Sequence, residues 1–90
     1  MPQLAGPEPT VATAPVTYGA VDLRSMEQIA AQMYEVAVIS EREYQQQADA
    51  TTGVQSYIAQ ALAQIQGCHK RHYKRIAEAY ALAAHEVEDR

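Results

Sequence analysis

All four prolines of this chain fall before residue 16, and the remainder of its 90 residues contains none. Proline removes a backbone donor and disfavours helix in the residue before it. Pro2, Pro7, Pro9 and Pro15, with Gly6 and Gly19, therefore set residues 1–21 apart as an extended or disordered N-terminal arm. The segments Thr10-Val11-Ala12-Thr13 and Val16-Thr17-Tyr18 are β-branched and mildly apolar. An arm of that kind suits docking on a neighbouring subunit. Everything after it is free to be helical, with one interruption.

The interruption is Thr51-Thr52-Gly53. Two adjacent threonines weaken a helix, and glycine takes the left-handed conformation that stops one. A short loop between two long helical patterns implies an antiparallel hairpin. A single helix kinked at Gly53 is the competing reading. The first helix is expected over 22–50, capped at Asp22 or by the capping box Ser25-Met26-Glu27-Gln28. Leu23, Met26, Ile29, Ala30, Met33, Val36, Ala37 and Ser40 recur along it at helical spacing. Near Val36-Ala37-Val38-Ile39 the apolar residues run right round, which calls for a second partner. After the turn at 51–53, the second helix is expected over 54–89. Ile58, Leu62, Ile65, His69, His72, Ile76, Ala79 and Ala83 alternate by four and three along it, as a coiled-coil seam does. Acidic residues close the chain, where a helix dipole disfavours them, so fraying is expected there. Folding about Thr52 sets Ile65 against Ile39, His69 against Glu35, His72 against Met33 and Ile76 against Ile29. Residues beyond about 82 then overhang the first helix. The expected hairpin core is Ile29, Met33, Ile39, Ile58, Leu62, Ile65 and Ile76.

Nearly half of the residues are apolar, but alanine dominates them and Trp and Phe are absent. Such faces bring helices close while burying little area, so the core is weak for a lone hairpin. The net charge of −4 and pI near 5.2 argue against a general nucleic-acid binder. A lone cysteine, Cys68, excludes an internal disulfide and fits a reduced, cytoplasmic setting. No basic segment followed by an apolar run opens the chain, so a signal peptide is not expected. No apolar stretch approaches the ~20 residues needed to span a bilayer.

The reactive side chains gather in Cys68-His69-Lys70-Arg71-His72-Tyr73-Lys74-Arg75. On a helical wheel Lys70, Arg71, Lys74 and Arg75 share one arc, a basic patch for acidic neighbours, a nucleic-acid backbone or an anionic membrane surface. His69 and His72 point the other way, toward the seam. Polar groups at seam positions set register and oligomeric state, and imidazole titrates near neutral pH. His69 and His72, with Glu35, are therefore candidates for an interface or pH-sensing layer. Cys68, His69 and His72 are also spaced for metal ligation from one helical turn, but zinc needs about four ligands, so a second subunit or Glu35 must complete the set. No catalytic motif and no cofactor site stands out. Val36, Val38, Tyr57, Tyr73 and Tyr80 are candidates for contact between subunits.

In size and hairpin shape the chain resembles the small WXG-motif proteins secreted by Gram-positive bacteria. Thr51-Thr52-Gly53 stands where those carry Trp-x-Gly, and Tyr80 is followed by Ala84 rather than an acid, so that likeness is one of architecture. Gln45-Gln46-Gln47, Thr51-Thr52-Gly53-Val54 and Tyr57 are similar to the glutamine run, Thr-Thr-x-Gly-Val-type turn and tyrosine of the small structural proteins of bacterial R-bodies, with the residue between Thr and Gly absent. That resemblance covers residues 33–62. It implies a self-assembling polymer whose shape responds to pH.

The reading is an all-α fold: a long antiparallel two-helix hairpin with an extended Pro-rich N-terminal arm. A hairpin with apolar residues on several faces needs other copies to cover them. The expected function is non-enzymatic self-assembly into a homo-oligomer or polymer. The alternatives are an adaptor or chaperone-like hairpin that binds another protein's helix, and a small dimeric RNA-binding hairpin.

Overall fold

A computed structural model describes residues 18–90. The expected arm lies mostly outside these described residues. Two helices account for nearly all of them: α1, Ala20–Ala50, and α2, Gly53–Glu88. They pack antiparallel along their whole length, so the fold is an all-α helical hairpin.

The first helix starts two residues ahead of Asp22. Its cap is Gly19, with no side-chain hydrogen bond, and Asp22 sits in the first turn, where the helix dipole favours an acid. Ser25 lies inside the helix. The expected cap at Asp22 or Ser25 is thus replaced by a bare backbone start.

The connection differs in detail from a glycine stop. Thr51 and Thr52 are both extended and end α1, while Gly53 opens α2 with φ of +68°. The left-handed glycine therefore turns the chain into the second helix instead of closing the first. Two orphan carbonyls at the end of α1 find donors nearby. Thr51 Oγ1 donates to Gln47 O at 2.6 Å, and Ser56 Oγ, from α2, donates to Ala48 O at 2.8 Å.

The packed seam is not the one the large apolar residues mark. On α1 the buried or half-buried row is Leu23, Glu27, Ala30, Tyr34, Ala37, Glu41, Tyr44 and Ala48. On α2 it is Ser56, Ala59, Ala63, Gln66, Lys70, Tyr73, Ala77, Tyr80, Ala84 and Val87. Both rows step by four and three, the coiled-coil spacing. The α2 row is the expected one displaced by a single residue, a rotation of about 100°. Ala37 and Ala84 are 2% and 0% exposed, whereas Ile29, Ile58 and Ile65 are 59%, 50% and 47% exposed. Met33 and Ile39 are likewise exposed, and Leu62 and Ile76 are half-buried. The expected core of large side chains is therefore corrected: among the described residues, Leu23 and six alanines are the buried apolar ones.

The reason is steric. Alanine rows let two helix backbones come close along many turns, and dispersion contacts accumulate over the length. The gain per residue is small, on the order of 0.8 kcal/mol for a buried methyl against 1.5–3 for a buried Leu or Ile. This hairpin is thus closely packed but thinly stabilised.

Candidate functional site

Rotating each helix to bury its alanines divides the hairpin into two unlike broad faces. Met26, Ile29 and Met33 of α1 meet Tyr73, Ile76 and Tyr80 of α2 across an open apolar cleft. Counting down from Ile76 by four and three along the same side of α2 reaches His72, His69, Ile65, Leu62 and Ile58. Val36 continues the α1 side, three residues after Met33. Every one of these side chains is exposed or half-buried. The result is an apolar face running most of the hairpin's length, with two histidines at its middle.

The opposite face is polar. Ala31 and Tyr34 line a groove there with Lys74, Ala77 and Glu78, and Val38 lines another with Glu41, Arg42, Gln45 and Lys70. Val36 and Val38 thus part to opposite faces, as their spacing requires.

Polar contacts clamp the hairpin at three levels. Near the turn, Ser56 reaches the Ala48 carbonyl. At mid-height, Lys70 Nζ donates to Glu41 Oε1 at 2.7 Å, both groups being part-buried. At the open end, Arg24 makes a two-pronged contact with Glu88, Nε to Oε2 at 2.9 Å and Nη2 to Oε1 at 2.7 Å, while Nη1 holds Glu27 at 2.8 Å. The hydrogen bonds from Arg24, reinforced by its charge against a smaller desolvation cost, hold the Glu88 carboxyl below the usual range. The Arg24 guanidinium is raised further still, chiefly by its bond to Glu88 and then by that to Glu27. Arg24 is half-buried and Glu88 exposed, so solvent screening makes the contact one of registry more than of strength.

This clasp corrects two expectations. The end of α2 does not overhang: it is helical to Glu88, Ala84 is fully buried and Glu88 meets Arg24. The expected neighbour of His69 is Glu35, but the acid that meets the central cluster is Glu41, through Lys70. Glu35 is exposed and makes no ion pair among the described residues. The fold-back about Thr52 fails toward the open end: it sets Arg24 opposite Tyr80, yet Arg24 bonds Glu88.

The cluster 68–75 divides between the two sides. His69 and His72 are exposed on the apolar face, each packed against the Tyr73 ring at 6.5 and 5.8 Å between centroids. They do not lie in the hairpin seam, which Lys70 and Tyr73 occupy. Lys70 is tied to Glu41. Arg71 Nη2 contacts the exposed Cys68 Sγ at 3.3 Å, and Lys74 lines the polar-face groove. Arg75 is exposed on the outer edge. The basic patch is therefore smaller than its composition suggests. Tyr73 and Tyr80 are half-buried at the rim of the apolar cleft, and Tyr57 is exposed beside the turn.

Among the described residues of one chain, no three His, Cys, Asp or Glu side chains are placed to hold a metal ion together. No helix among them is long and apolar enough to cross a membrane. The clasps at Glu41 and Glu88 and the small-residue seam escape a reading by hydrophobicity. Gly67, in the middle of a helix where glycine is disfavoured, was the available signal for a close approach. No protein family, curated protein or solved structure matches this chain.

Proposed function

We propose that this hairpin is a non-enzymatic structural protein of the cytoplasm that assembles with copies of itself through its apolar face. One observation carries the reading. Ile29, Met33, Val36, Ile58 and Ile65, which would each gain much on burial, lie outside the hairpin, and Leu23 is the one large apolar side chain buried among the described residues. Otherwise the inside is built of alanine. A domain this small with so thin a core normally gains stability from association. A second hairpin on the apolar face makes a four-helix bundle, the usual way two such hairpins cover their faces. Further copies joined through the exposed Val54 and Tyr57 near the turn and Val21 and Leu82 near the open end extend the bundle into a polymer of the R-body kind. His69 and His72, inside such an interface, make its strength sensitive to pH.

Light scattering on the size-separated full chain tests this. Dimers or larger species that become monomers on Ile65→Glu support it. A monodisperse, folded monomer at high concentration overturns it, and assigns the apolar face to another protein's amphipathic helix.

A further inference from the structure

The exposed row on α2 has an internal symmetry that the assembly reading does not require. The point midway between His69 and His72 is also midway between Ile65 and Ile76, between Leu62 and Ala79, and between Ile58 and Ala83. It is the midpoint of α2 itself, Gly53–Glu88. A second α2 laid antiparallel across this row, about a two-fold axis through that point, therefore matches it over its whole length. Ile65 meets Ile76 of the second copy at both ends of the central layer. The large Leu62 and Ile58 meet the small Ala79 and Ala83, the large-against-small pairing that fills a core. In the other face-to-face arrangement, with both turns at one end, α2 lies on α1 of the second copy. The imidazoles then face the α1 row at Val36 and Ser40, and the four are no longer gathered in one layer.

The antiparallel arrangement places four imidazoles in one layer. His69 and His72 are neighbours on one helical turn, and each copy contributes the pair. Of the nearby cations, Lys70 is held by Glu41 and Lys74 lines the groove of the other face, while the exposed Arg75, three residues after His72, flanks the row. The Tyr73 ring lies against both imidazoles and restricts their orientation. Along the row the next side chains are Ile65 and Ile76, with Cys68 and Arg75 at its outer edge.

Resting on the self-assembly reading above, we propose that two hairpins pair antiparallel through their α2 rows and that the resulting layer of two His69 and two His72 imidazoles binds a divalent transition-metal ion of the zinc class. Zinc takes four nitrogen ligands tetrahedrally. One chain supplies two, so the site is incomplete without the second copy. The imidazoles bind as neutral ligands, so acid displaces the ion by protonating them.

The test is a Zn2+ titration of the metal-stripped full chain by calorimetry, with molar mass measured with and without Zn2+. The expected result is one ion per two chains and dimers tightened about tenfold or more. His69→Ala with His72→Ala abolishes both effects and leaves the circular dichroism unchanged, while Cys68→Ser keeps both. Co2+ in place of Zn2+ shows tetrahedral absorption without a thiolate charge-transfer band. A chain that self-associates but takes up no Zn2+ overturns the metal site and leaves the assembly reading standing. So does uptake that survives the double histidine change, needs Cys68, or amounts to one ion per chain. A chain that stays monomeric with and without Zn2+ overturns both.

Discussion

The Glu41 carboxylate occupies the space that a side chain at residue 67 would fill: a β-carbon built on Gly67 lies 2.7 Å from Glu41 Oε2. Gly67 is buried in the middle of α2, and the carboxylate held over it accepts the Lys70 hydrogen bond. A glycine that weakens its helix thus makes room for an ion pair that joins the two helices.

The two effects oppose each other in Gly67→Ala. Alanine improves helix propensity by about 1 kcal/mol. The Glu41 carboxylate is the end of a flexible chain and swings aside, giving up a part-exposed pair with Lys70 of about 0.2–1 kcal/mol. The expected net change in urea denaturation is neutral to slightly stabilising. The double change with Glu41→Gln exposes the coupling. Glu41→Gln costs measurably in the native background and close to nothing in the Gly67→Ala background. Equal costs in both backgrounds would refute the arrangement.

Gly53 tests a different cause. Its φ of +68° is unfavourable for any residue with a β-carbon, and a β-carbon there meets nothing within 4 Å. Gly53→Ala therefore carries a backbone cost of about 1–2 kcal/mol with no steric part. Gly53→Asn costs less, since asparagine tolerates this conformation. Chemical denaturation of the three chains should rank them Gly, Asn, Ala.

The alanine seam predicts that a more hydrophobic residue destabilises. Ala37 and Ala63 are 2% and 5% exposed between closely packed backbones. Leucine at either position forces the helices apart and costs about 1–3 kcal/mol by overpacking. Ile58→Ala, on the exposed row, changes the isolated hairpin little and weakens association instead. Thermal melts at several protein concentrations separate the two behaviours. A Tm raised by Ala63→Leu would contradict the observed seam.

At the open end the Arg24 bonds lower the Glu88 carboxyl. A group whose folded pKa is depressed stabilises the fold above its unfolded value, and that contribution is lost as pH falls through the folded one. The window thus lies below the ordinary glutamate value of about 4.3. Carboxyl-carbon NMR should show Glu88 titrating low in the native chain and returning toward that value in Arg24→Gln. The same substitution should speed amide exchange in residues 84–88. A Glu88 that titrates normally beside Arg24 would exclude the clasp.

Much of the hairpin is legible in residue order. Prolines confined to the arm, a proline-free remainder and one Thr-Thr-Gly interruption define two helices and a tight reversal, because each acts through local backbone sterics. Which side of each helix faces inward is not local. Ile58, Leu62, Ile65, His69, His72 and Ile76 form a row with four-three spacing. Ala59, Ala63, Gln66, Lys70, Tyr73 and Ala77, one residue on, form another. Periodicity is identical in both, and hydrophobicity favours the first. Tertiary packing selects the second, since small side chains admit a close helix pair, Glu41 then reaches Lys70 over Gly67, and Arg24 reaches Glu88. That one-residue rotation moves His69 and His72 from the seam to the exposed face, the one decision about the candidate site that no local rule could make.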